Sequence, residues 1–74
     1  MDTNDVLGAL ERELRARRTV NVAVGTLIHH DGVDAAQAGA LMQRVADRRR
    51  TSIETVARVV TASAALGYRV ITPD

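Results

Sequence analysis

Arginine is the residue type in this sequence most able to bind a ligand, and it occurs in two clusters. The ten lysine and arginine positions among the 74 residues are all arginine, and eight of them lie at positions 12–18 or 44–50. Glu11 and Glu13 dilute the first cluster, whereas Asp47 alone dilutes the second. Because guanidinium groups grip phosphate and carboxylate oxygens in pairs, the clusters indicate an anionic partner. A solvated helix face is the alternative that composition leaves open.

His29, His30 and Asp31 are the one run that suggests a metal site. Adjacent residues of a helix point about 100° apart, so these three cannot converge on one ion. Helix-end histidines, which the helix dipole favours in their charged form, are the simpler interpretation. With no cysteine, no lysine and no glycine-rich phosphate loop after a strand, we expect no metal, no cofactor and no enzyme.

The length and composition allow one small domain that is short of core material. Hydrophobic residues make up 46% of the chain, but most are Ala and Val, and Tyr68 is the only aromatic residue. A core of this size contributes only about 3–5 kcal/mol, so we expect an oligomer. No apolar run reaches the roughly 18 residues of a membrane span, and no signal-peptide pattern opens the chain. The predicted location is the cytoplasm, away from membranes.

Helix signals divide the chain into three helices. The first is predicted from about Asn4 to His30, with N-cap candidates at 3–5 and an end at Gly32. The second follows the capping-box spacing of residues 34–37, and the third follows a similar spacing at 51–54. Gly67 ends the third helix, and the tail at 68–71 is predicted to fold back on a helix. The predicted fold class is all-α.

The first helix carries a heptad seam along one side. Its apolar residues are Leu7, Leu10 and Leu14, and the same register continues through Arg17, Asn21, Val24 and Ile28. Such a seam is typical of a coiled coil. A second stripe, formed by Val20, Ala23 and Leu27, faces the chain's own core. Gly25 lies between the stripes, where a missing Cβ would let another backbone approach.

We therefore predict a homodimer with Leu7, Leu10, Leu14 and Asn21 at its contact. By role, residues 1–19 form a coiled-coil dimerisation helix, 20–67 a three-helix domain and 68–74 a tail. The other helices supply the remaining core, namely Ala38, Leu41, Met42, Val45 and Ala46 from the second and Ile53, Val56, Ala57, Val60 and Ala64 from the third.

The second arginine cluster lies where the second helix ends and the third begins. Arg44, Arg48, Arg49 and Arg50 are predicted to contact phosphates and loop bases of RNA, beside the free N–H groups of the third helix. DNA is disfavoured as a partner because the start of the third helix offers Ser52, Glu54 and Thr55, with only Arg58 basic.

From about Val20 to Val60 the chain resembles the ANTAR family of bacterial transcription-antitermination domains. The family opens with Ala-Lys-Gly-x-Leu-Met, which here is the segment 23–28 (AVGTLI). Its Ala-aromatic-x-x-Leu-Arg-x-x-Ala motif corresponds to 38–46 (AGALMQRVA), and the closing Leu-x-x-Val-Ala-x-x-Ile/Val corresponds to Ile53, Val56, Ala57 and Val60. A break with acidic residues at 31–34 separates the first two motifs, without a gap in the spacing.

The resemblance implies a three-helix, dimeric RNA-binding module. Members bind paired stem-loops in nascent transcripts and prevent a terminator hairpin from forming. They usually carry a coiled-coil helix before the domain, as the leucine seam does here, and a sensor domain before that helix. Since no sensor domain is present in this sequence, a separate sensor or partner protein is a further expected partner.

The departures from the family pattern fall on polar and aromatic positions. The family lysine is Val24, the aromatic residue is Gly39 and the arginine is Gln43; a common asparagine is Arg50 and a frequent basic residue is Ser52. These losses leave open an alternative function, a protein-interaction or dimerisation module that keeps the fold and has lost RNA. On the first hypothesis the arginines at 44–50 compensate.

Overall fold

The computed structural model describes residues 2–67 of the chain, which form three α-helices. They are α1 (Thr3–Asp31), α2 (Ala35–Arg49) and α3 (Ile53–Ala65). The predicted all-α architecture with a long first helix is confirmed. α1 runs unbroken through residues 19 and 20, so the division made there is one of role within a single helix. The tail predicted to fold back on a helix lies outside the described residues.

The ends of α1 are fixed by two short-range signals. Asp2, and not the predicted residues 3–5, is the N-cap, because its backbone is extended and its carboxylate accepts a hydrogen bond from the Asn4 N–H at 3.4 Å. At the other end Gly32 has φ 69°, and its N–H donates to the Ile28 carbonyl at 3.2 Å. The left-handed glycine that ends the helix was correctly predicted.

The two later helices begin at polar caps. The predicted capping box before α2 is confirmed, since the Gln37 N–H donates to Asp34 Oδ1 at 2.7 Å and the Asp34 N–H donates to Gln37 Oε1 at 2.9 Å. The predicted box at 51–54 is wrong by one residue. Ser52 caps α3 and accepts from the Thr55 N–H at 3.1 Å, while Glu54 pairs with Arg58 at 2.6 Å.

The core is built from small side chains contributed by all three helices. Its buried residues are Ala23, Leu27, Ala38, Met42, Ala46, Val56, Ala57 and Val60. All eight belong to the stripes predicted from helical spacing. Half of them are alanines, which let the helix backbones approach closely but bury little area each.

Within the described chain, no other backbone comes close to Gly25. A Cβ built on Gly25 would have no heavy atom within 4 Å in the described chain. The residue is exposed on α1 between the core stripe and the seam. The alanines of the core, and not this glycine, bring the helices together.

α3 packs across α1, and a groove lies on each side of their contact. On one side Ile53 and Glu54 of α3 lie beside Glu13, Arg17 and Asn21 of α1. The groove on the other side is lined by Arg15, Arg18, Thr19, Val22, Arg58, Thr61, Ala62 and Ala65. The start of α3 therefore lies on the seam side of α1, and its end lies on the opposite side.

The N-terminal half of α1 extends beyond the domain. Twenty-nine residues span about 43 Å at 1.5 Å per residue, and the molecule measures 45 × 23 × 22 Å. Leu7, Leu10 and Leu14 are each 50% exposed, so the chain itself leaves the seam uncovered. Within residues 2–67, no helix is long and apolar enough to cross a membrane.

We predict that Leu27→Ala unfolds most of the domain, whereas Ile28→Ala does not. Leu27 is fully buried, but its neighbour Ile28 is 42% exposed. Truncating the Leu27 side chain lowers the free energy of unfolding by about 3 kcal/mol. That is most of the stability that so small a core supplies. Helical circular dichroism during urea unfolding of the monomeric chain at low concentration compares the two. Equal losses from both substitutions would contradict the assignment of the core face.

Candidate nucleic-acid interface

The four arginines predicted to bind RNA lie at one corner of the domain, where α2 passes into α3. Arg44 and Arg48 are one turn apart on α2, Arg49 is the last residue of that helix, and Arg50 follows it. All four are exposed. We call this group the arginine corner. The structure thus places the predicted residues together on an accessible surface.

Arg50 has a backbone conformation that side chains with a Cβ rarely adopt. Its φ of 53° and ψ of 47° are left-handed. This turn lets the Thr51 N–H donate to the Ala46 carbonyl at 3.0 Å, which closes the C-terminus of α2. Asparagine and glycine tolerate this conformation best, which accounts physically for the asparagine common at this position in the resembled family. A strained arginine is retained here instead.

Few acidic groups neutralise the corner. Asp47, the nearest acid in sequence, accepts a hydrogen bond from Gln43 Nε2 at 2.9 Å. Within residues 2–67, the side chains of Arg44, Arg49 and Arg50 make no ion pair. The C-terminal dipole of α2 also stabilises positive charge at its last turn. This is a structural role that the corner would have even without a ligand.

α3 begins only a few residues after the arginine corner, since Ser52 is its N-cap. Ser52, where the resembled family often has a basic residue, is used here to cap the helix. Its hydroxyl also lies 2.9 Å from Thr55 Oγ1. The first turn of α3 carries Glu54, whose negative charge partly offsets the positive end of the helix dipole. The same carboxylate accepts a hydrogen bond from Arg58.

The three remaining departures from the resembled pattern have different surroundings. Val24 is half-buried and packs against the core, so an apolar residue replaces a lysine at a site that is now part of the packing. Gln43 is exposed and bound to Asp47. Gly39 lies on α2, and a Cβ built on it would meet no heavy atom of the described chain within 4 Å. A side chain can therefore begin at this position without a clash at its Cβ.

The predicted dimer contact lies beside the start of α3. The groove between Arg17, Asn21 and Ile53 connects the seam to the start of α3, which follows the corner in the chain. Sequence reasoning missed this adjacency because helical spacing gives the faces of each helix but not the angle at which helices cross. It also missed that Arg15 and Arg18 line a second groove, together with Arg58 and the second half of α3.

The two histidines lie at the end of α1 with their rings edge to face, 5.2 Å apart. Both are exposed. Among residues 2–67, no group of three His, Cys, Asp or Glu side chains could hold a metal ion.

Relieving the strain at Arg50 is predicted to stabilise the domain. Arg50→Asn should raise the free energy of unfolding by about 0.5–1 kcal/mol, because asparagine tolerates the left-handed conformation. That corresponds to a rise in melting temperature of roughly 2–8 °C for a domain of this size. Arg49→Asn, inside α2, is the matched control and should lower stability slightly. The same direction of change in both variants would contradict the strain argument.

Comparison with known proteins identifies the chain. No curated protein and no solved structure matches it significantly. The family model of the ANTAR domain matches residues 8–60, which is more than two thirds of the 74 residues. That match begins within the leucine seam, spans α2 and ends at Val60 in α3. The chain therefore belongs to the ANTAR family, whose members are RNA-binding antitermination modules and not enzymes.

Proposed function

We propose that this chain binds stem-loops of nascent RNA as a homodimer and thereby promotes transcription antitermination in the bacterial cytoplasm. The observation that carries the proposal is the arginine corner. Four exposed arginines lie within residues 44–50 at the end of α2, and Arg50 has a left-handed backbone conformation. That conformation closes the C-terminus of α2, so the backbone that carries these arginines has a defined geometry.

The corner suits RNA because of how guanidinium groups bind. They contact phosphate oxygens in pairs and also stack on the unpaired bases that stem-loops expose. Arg44 and Arg48 would lie along one strand of backbone, while Arg49 and Arg50 point away from that line. With no aromatic residue among residues 2–67 other than the two histidines, the arginine planes supply most of the available stacking.

A dimer fits the same proposal. The leucines of the seam are half exposed, and Asn21 interrupts them at a heptad position where asparagine favours a defined two-stranded register. Two copies would present two arginine corners to an RNA with two stem-loops. A separate sensor or partner protein would then supply the signal that controls binding.

The alternative is a protein-interaction module that keeps the ANTAR fold without RNA. It is favoured by Val24, which packs against the core where the family has a lysine, and by the absence of the aromatic side chain at Gly39. On this alternative the arginines serve as helix-end charges on a solvated face.

RNA titration separates the two functions. An RNA of two adjacent stem-loops should bind with micromolar or tighter affinity, and about four phosphate contacts predict a log–log salt slope near −3. Arg49→Ala with Arg50→Ala should weaken binding and flatten the slope. Arg12→Glu removes the same total charge from an exposed site on α1 and should have much less effect.

The oligomeric state of the chain is measured under the conditions of the RNA titration. If a folded, dimeric chain binds neither the stem-loop RNA nor an unpaired RNA of the same composition, the protein-interaction function replaces the RNA-binding one. Equal weakening by the double variant and by Arg12→Glu would show nonspecific charge attraction and would remove the corner from the site.

Restoring the aromatic residue offers a test by gain of function. Gly39→Tyr should raise RNA affinity roughly 5- to 100-fold if the ring stacks on a base, since such stacking contributes about 1–3 kcal/mol. The same change should stabilise α2 by removing a helical glycine. Gly39→Ala is the control that shares the helix effect without the ring. Equal affinities of the two variants would place Gly39 outside the RNA contact.

A further inference from the structure

We infer that one groove between α1 and α3 binds an acidic amphipathic helix of a partner protein. Arg15 and Arg18 of α1 line this groove together with Arg58 of α3, and we call it the basic groove. None of its described lining residues belongs to the arginine corner or to the leucine seam, so the inference goes beyond the RNA-binding function proposed above. It assigns a role to part of the first arginine cluster. Only the existence of a separate partner protein rests on that proposal.

The two walls of the basic groove have the same helical spacing. On α1 the lining residues are Arg15, Arg18, Thr19 and Val22, at i, i+3, i+4 and i+7. Those of α3 begin at Arg58 and follow the same pattern over two turns. Each wall is therefore one face of a regular helix. At 1.5 Å per residue each wall is about 10 Å long, which matches two turns of a third helix packed between them.

Two threonines of the basic groove use their hydroxyl groups within their own helices. Thr19 and Thr61 are half-buried. The Thr19 hydroxyl donates to the Arg15 carbonyl at 3.0 Å, and the Thr61 hydroxyl donates to the Ala57 carbonyl at 3.1 Å. Because both hydroxyl hydrogens are already bonded, the surface between the arginines offers a ligand mainly apolar contacts.

Exposed apolar side chains extend this surface. Val22, on the α1 wall, is 51% exposed. On α3, Val59 and Leu66 are 58% and 72% exposed. They lie one turn before and one turn after Ala62, so the three side chains share one side of the helix. An apolar surface with charged residues at its rim is characteristic of a protein-interaction site.

The charge of the basic groove is one-sided. Its eight described lining residues include three arginines and no acidic residue. Within residues 2–67, Arg15 and Arg18 make no ion pair, whereas Arg58 pairs with Glu54. The groove on the other side of α3 differs, because two glutamates accompany its one arginine. Complementary charge across an interface disfavours wrong partners, so the unbalanced arginines favour an acidic one.

A helix of a partner protein suits these features better than a small molecule or RNA does. Six of the eight described lining residues are exposed, so the groove would cover one side of a small ligand, which usually binds in a more enclosed site. RNA would place phosphates over an apolar floor, and none of the described lining residues is aromatic and able to stack on a base. An amphipathic helix buries its apolar side chains in such a groove and directs its carboxylates to the arginines.

Binding of a synthetic peptide tests the inference without RNA. The probe is a fluorescently labelled peptide of about 15 residues, with leucines on one helical face and glutamates on both flanks. Fluorescence anisotropy should give a dissociation constant of about 1–100 μM, as expected for a small interface. A peptide of the same composition with scrambled leucines, and one with lysine in place of glutamate, should each bind at least about tenfold more weakly.

Matched substitutions locate the peptide on the chain. Arg18→Glu should weaken peptide binding about tenfold, and Val22→Asn should weaken it about fivefold. Arg44→Glu makes the same charge change outside the basic groove, and Val6→Asn replaces another valine of α1, which is 49% exposed. Both controls should stay within about twofold of the unchanged chain. All four positions are exposed, so helical circular dichroism should show that every variant is folded.

The same variants separate this inference from the proposed function. Arg44 belongs to the arginine corner, so Arg44→Glu should weaken binding of stem-loop RNA and leave peptide binding unchanged, whereas Arg18→Glu should do the reverse. If the chain binds no RNA, the proposed function fails, and the peptide titration still decides this inference. Equal loss of peptide affinity in Arg18→Glu and Arg44→Glu would show general charge attraction and would overturn the docking site.

Three further results would also overturn the inference. A greater loss of RNA affinity than of peptide affinity in Arg18→Glu would make the groove a nucleic-acid surface. Loss of self-association in Val22→Asn, measured by sedimentation equilibrium, would make the groove a contact between two copies of this chain. Absence of binding by the folded chain at peptide concentrations up to about 1 mM would exclude an acidic helix as the partner.

Discussion

The fold depends on how little area its core can bury. Four of the eight core residues are alanines, and without Phe or Trp the largest fully buried side chains are Leu27, Met42 and Val60. α3 reaches α1 as far toward its start as Glu13, and Leu7, Leu10 and Leu14 stay half exposed. Hydrophobic stabilisation scales with buried apolar area. The apolar side chains at the start of α1 therefore add little to the stability of the single chain.

The arginine corner lies at a tight turn between two short helices. Short helices joined by a tight turn need strong end signals, and here these are the Ser52 cap and the left-handed Arg50. The charges at the end of α2 therefore lie on a backbone fixed by hydrogen bonds and not on a long loop. On the proposed function, a backbone fixed in this way would reduce the entropy lost on binding.

Sequence reasoning predicted the elements well and their mutual geometry poorly. Periodicity identified every core residue, because an amphipathic helix repeats its apolar positions at fixed spacing. The capping box at Asp34 was equally clear. The cap of α3 was placed one residue early, since Thr51 and Ser52 are chemically alike as caps. Periodicity gave no information on how α3 packs across α1, so the α1 residues that each end of α3 contacts could not be predicted. Nor does a sequence report a positive φ at an arginine, because that conformation is imposed by the closing of α2.

Val24 lies where the core face of α1 and its heptad line meet. A seven-residue repeat drifts by about 20° per heptad around a straight helix. Over the three heptads from Leu7 to Ile28 the seam therefore rotates by roughly 60° toward the core. The two faces converge at Val24, which lies on the heptad line and also packs against the core. Its side chain belongs to both surfaces, so evolution cannot alter one of them at this position without altering the other.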